Sequence, residues 1–173
     1  MCIRDRYRRT LENLVGVLQS APADHECFSF LPAPTPVTMW SRRQASEIAI
    51  HRFDAEAARG VESNFEPAFA ADMLDEVLSG FAPRPREVDI DSTKVLHVDA
   101  RDVDQHWYVT ITPHGIETDR EGAHADLTIT GTAAALYLLM WNRSDDSTVT
   151  LTGDADLMNL WRESCRVRWS GGE

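Results

Sequence analysis

The sequence predicts an α+β protein: a helical first half followed by a small antiparallel-sheet α+β domain. Three observations carry this. Apolar residues recur at helical spacing up to about residue 81, the stretch "APRPRE" (82–87) concentrates proline and charge as domain boundaries do, and beyond it the hydrophobic period becomes two. The expected division is therefore 7–82 and 83–173.

Each element follows from its own pattern. Residues 7–20 place Leu11, Leu14, Val15 and Leu18 on one helical stripe, and the next eighteen residues break it with four prolines, so a helix is followed by a long loop. Helical spacing returns from about Trp40 through Ile48 and Phe53 and stops at Gly60, a suitable C-terminal cap. Residues 65–81 read as another helix through Phe69, Met73, Val77 and Leu78. Then 93–100, 105–112, 115–119 and 125–131 gather β-branched and aromatic residues between turn signals, as in an antiparallel meander. A strongly apolar helix (132–143), a strand (147–153) and a last helix (154–166) with Asp154 as N-cap complete the chain. On this reading residues 85–173 fold without the helical half.

Composition narrows the function. The 173 residues carry a formal charge of −11, the reverse of the basic face that tracks nucleic-acid phosphates. The longest apolar run, "AAALYLLMW" (133–141), is far short of the roughly 18 residues of a membrane span, and the N-terminus lacks an apolar signal core. A cytoplasmic protein without nucleic-acid or membrane partners is expected. Its three cysteines, Cys2, Cys27 and Cys165, form no C-x-x-C pair, which fits a reducing compartment.

The stretch "SEIAIHRFDAE" (46–56) holds the chemistry. Glu47, His51 and Asp54 are spaced by four and three, so they share one face of a helix. A carboxylate and a neutral imidazole one turn apart supply an oxygen and a nitrogen ligand to zinc or a similar divalent ion. The bland alternative is a hydrated, salt-bridged helix face. Asp54 either orients a ligand or solvates that face. Arg42 and Arg43 either attract anionic groups or form salt bridges. His25 and Cys27 sit in a proline-rich loop that gives them no fixed ligand geometry. The aromatic residues Trp107, Tyr108, Tyr137, Trp141 and Trp161 read as core.

"MWSRRQASEIAIHRFDAEAARG" followed by "AADMLDEVLSGF" resembles the end of the metal-binding domain in the mycothiol-dependent maleylpyruvate isomerase family, a branch of the DinB-like four-helix proteins. "ADLTITGTAAALYLLMWNR" and "VTLTGDADLMNLW" resemble the C-terminal domain of that family, which is similar to sterol-carrier-protein folds. The resemblance implies the C-terminal half of a DinB-like bundle, with Glu47 and His51 as metal ligands and a further histidine from an earlier helix. That histidine is expected upstream of residue 1, and "MCIRDR" resembles translated adapter sequence. It also implies a divalent metal, with zinc expected, and mycothiol as the thiol cofactor, acting on a small-molecule substrate as a cis–trans isomerase or S-transferase. Arg143, at the end of the apolar helix, is the implied catalytic arginine; its alternative role is to complement the helix dipole. A module carrying lipids or small molecules and an inactive fragment are the competing readings.

Overall fold

The computed structural model describes residues 2–165. Two compact units divide at 63/64. The first contains α1 (Ile3–Ser20) and α2 (Pro36–Ala57), joined by the proline-rich loop. α1 starts four residues earlier than its apolar stripe suggests. α2 starts at Pro36, whose fixed φ suits the first helical position, and Thr35 caps it by accepting the Thr38 N–H at 3.2 Å. Beyond the last turn, Gly60 takes φ +65°, the left-handed conformation that closes helix ends.

The second unit begins with α3 (Pro67–Asp75), capped by the Glu66 carboxylate on the Ala68 and Phe69 N–H groups. α3 continues into a π-helical turn, Glu76–Phe81. Five strands follow: β1 (Lys94–Ala100), β2 (Gln105–Thr112), β3 (Gly115–Asp119), β4 (Leu127–Gly131) and β5 (Thr150–Gly153). α4 (Ala133–Met140) separates β4 from β5, and α5 (Leu157–Ser164) ends the described chain. Residue 166 of the expected last helix lies outside the described residues.

The sheet order is β3-β2-β1-β4-β5, and it is mixed. β1, β2 and β3 form the expected antiparallel meander, but β4 pairs parallel to β1, with Leu96 opposite Leu127. The purely antiparallel expectation is corrected here. Turn signals after β3 gave no hint that 120–126 crosses the sheet instead of returning beside β3. Gly122 marks the crossing: a Cβ there would sit 2.4 Å from the Tyr108 ring, so only glycine lets the backbone pass. Tyr108 accordingly lies on the outer sheet face, stacked on His97 at 4.5 Å, and not in the core.

The inner face carries Leu96, Val98, Trp107, Val109, Ile111, Leu127 and Ile129, all fully buried. α4 packs over it, and α3 packs against α4. At about 25 cal/mol per Å² of apolar surface, this shared burial is the main stabilisation of the unit. It also moves the boundary. The 67–81 helix belongs with the sheet, not with the helical half, so the expected break at 82/83 lies inside a compact unit. One further expectation changes: Asp154 sits in a turn before α5, and Asp156 occupies the N-cap without a side-chain cap bond.

Candidate metal centre

α2 is fastened to the preceding loop before the site begins. The Trp40 indole N–H donates to the Phe28 carbonyl at 2.8 Å, and Phe30 meets the Trp40 ring edge-on at 5.6 Å. Along one stripe the helix buries Met39, Arg43, Ser46 and Ile50, and it turns Glu47, His51 and Asp54 toward partial exposure.

The three residues meet as their spacing predicts. His51 Nε2 lies 3.0 Å from Glu47 Oε2, and His51 Nδ1 lies 3.1 Å from Asp54 Oδ2. Arg43, almost wholly buried, pairs with the other Glu47 oxygen, Oε1. Each oxygen of Glu47 therefore faces a different neighbour. Two ligands about 2.0–2.2 Å from one ion at about 90–110° stand about 2.8–3.6 Å apart, and the Nε2–Oε2 separation of 3.0 Å falls within that range as it does within that of a direct ion pair. A neutral imidazole carries one proton, so only one of its two nitrogens can donate to a carboxylate at a time. Among the described residues no group of three or more His, Cys, Asp or Glu side chains is placed to hold an ion, so Glu47 and His51 amount to a partial donor set.

Arg143 stands in the second unit. α4 ends in a Schellman motif: Asn142 adopts φ +59°, its N–H bonds Leu139 O at 2.9 Å, and the Arg143 N–H bonds Leu138 O at 2.8 Å. The Arg143 guanidinium returns to the Trp141 carbonyl at 2.9 Å. Its backbone and side chain thus both serve the helix end. His25 and Cys27 occupy the exposed loop.

Two features were not legible in advance. Of the two readings of Arg43, the structure shows the salt bridge, to Glu47 one turn on, but the burial of its side chain is not a property of spacing. The second unit also holds a cavity of about 560 Å³, lined among others by Phe81, Arg86, Met140, Trp141, Trp161 and Cys165. Those residues come from three separate segments, so no periodicity could assemble them.

The family model described as the MDMPI C-terminal domain matches residues 68–159, more than half of the chain. The chain belongs to this family. The match starts one residue inside α3, in agreement with the unit boundary at 63/64. No curated sequence is significantly similar to the chain. Among solved structures, the stereoselective inverting sec-alkylsulfatase Pisa1 from a Pseudomonas species is 18% identical over 44% of this chain and 13% of that one, with a TM-score of 0.40. The UbiJ-SCP2 ubiquinone synthesis protein is 17% identical over 58% of this chain and 79% of its own, with a TM-score of 0.35. At TM-scores below 0.5 neither likeness carries weight for the MDMPI C-terminal domain described here.

Proposed function

We propose that this chain is part of a metal- and mycothiol-dependent enzyme of the maleylpyruvate isomerase kind, acting as a cis–trans isomerase or S-transferase on a small anionic substrate in the cytoplasm. The first unit is then half of a DinB-like bundle. The observation that carries the reading is the 3.0 Å approach of Glu47 Oε2 to His51 Nε2, together with the family match over 68–159. A zinc ion held there would supply a Lewis acid that activates the cofactor thiol at neutral pH. Glu47 and His51 hold the ion, Arg43 keeps Glu47 Oε1 engaged, and Arg143 is the candidate for meeting substrate charge. Two protein ligands leave the site weak, and a third is expected from an earlier helix.

Zinc titration tests this. The parent chain should bind zinc weakly and His51→Ala should not bind it at all. A longer form that supplies a histidine ligand from an earlier helix should bind tighter by orders of magnitude and turn over maleylpyruvate only with mycothiol. Equal zinc binding by parent and His51→Ala would end the metalloenzyme reading.

The cavity of the MDMPI domain supports a second reading, carriage of a lipid or small apolar molecule. Its volume suits a small ligand, and Phe81, Trp141 and Trp161 stand among its lining residues beside Arg84, Arg86 and Glu163. Saturable uptake of a fluorescent fatty acid, undiminished by His51→Ala, would favour it.

A further inference from the structure

We infer that Asp54 is a positioning residue for His51: its carboxylate takes the Nδ1 proton and thereby presents the Nε2 lone pair to an ion shared with Glu47. This rests on the metal reading above, and its test separates the two.

The geometry brackets one imidazole between two carboxylates, 3.0 Å from Glu47 at Nε2 and 3.1 Å from Asp54 at Nδ1. Both carboxylates are acceptors only. When a cation occupies the Glu47 side, Nε2 must face it with a lone pair, so the single proton of the neutral ring sits on Nδ1. Asp54 Oδ2 lies within bonding distance of that nitrogen, at 3.1 Å. A carboxylate behind a ligating histidine fixes the tautomer, locks the ring about its Cβ–Cγ bond and raises the basicity of the ligating nitrogen. Helix spacing makes the arrangement self-consistent, because positions 47 and 54 lie one turn to either side of 51 on the same face.

Arg43 plays the matching part for the other ligand. By engaging Oε1 it leaves Oε2 as the oxygen directed at His51. Each ligand is thus oriented by a neighbour on the same helix, Glu47 from one turn before and His51 from one turn after. Such an arrangement needs no element beyond α2.

The test uses the full 173-residue chain with zinc or cobalt(II) as the probe, and compares Asp54→Ala, Asp54→Asn, Glu47→Ala and His51→Ala, each checked for its helical circular dichroism. The expected loss of affinity for Asp54→Ala is about 10- to 100-fold, with Asp54→Asn between it and the parent. Nitrogen-15 NMR of the zinc-loaded parent should show a protonated Nδ1 with its proton shifted downfield by the carboxylate, and that shift should vanish in Asp54→Ala. If Asp54→Ala binds as the parent does, or the Nδ1 proton signal is unchanged, the positioning role is overturned while the metal reading stands. If Asp54→Ala abolishes binding and Glu47→Ala spares it, the ion lies on the Asp54 side and Asp54 is a ligand, which also overturns the inference. If His51→Ala binds as well as the parent, the metal reading fails and this inference falls with it.

Discussion

The Trp107 indole N–H donates to Asp75 Oδ1 at 2.8 Å, joining β2 to the end of α3. Arg120 reaches the same oxygen at 2.7 Å from a position 4.3 Å over the Trp107 ring. The indole is fully buried, so its N–H needs an acceptor, and the acceptor's charge is matched by the guanidinium. Asp75→Ala should lower stability by about 2 kcal/mol by orphaning that donor, and Asp75→Asn should recover part of the loss. Urea unfolding midpoints at unchanged slope would measure both.

The same contact sets the smallest unit that folds. Residues 64–173 keep α3 against α4 and Asp75 on the Trp107 indole, whereas residues 85–173 lose both contacts. The longer piece should unfold cooperatively, and the shorter should bind hydrophobic dyes and lack a sharp transition. A sharp thermal transition in 85–173 would contradict the packing described here.

Asp126 ties β4 to β1 through the Val95 N–H, which it accepts at 2.8 Å. That bond, with Lys94 and His124 nearby, holds its carboxyl below the usual aspartate value despite an opposing effect of burial. A depressed folded pKa means that the unfolded chain binds the proton more readily. The stabilisation is therefore complete above about pH 4 and is lost as pH falls through the folded value. Asp126→Asn should remove this part of the acid dependence, seen as a flatter plot of unfolding midpoint against pH.

Cys165 should be the slow thiol. Burial pushes its pKa up to about 11, against the opposing influence of Arg86, which donates to its sulfur at 3.2 Å. Cys2 and Cys27 are exposed. Labelling with a disulfide reagent at pH 7.5 should modify two thiols quickly and the third only on unfolding, because the thiolate is the reacting form. Three thiols reacting at one rate would refute this environment for Cys165.

Much of the architecture was local and hence legible. The 3.6-residue period located α1, α2 and α3, the two-residue period located the strands, and the Glu47–His51–Asp54 face follows from helix geometry alone. Whether that face solvates or chelates is not a property of spacing, and the atomic separations around His51 carry that question further. The parallel pairing of β1 with β4, the placing of α3 with the sheet, and Tyr108 on the outer face were settled only in three dimensions. Each depends on contacts between residues distant in the chain, such as Trp107 with Asp75 or Gly122 under Tyr108. A hydrophobic period records which side of an element is apolar; it does not record which other apolar side will cover it.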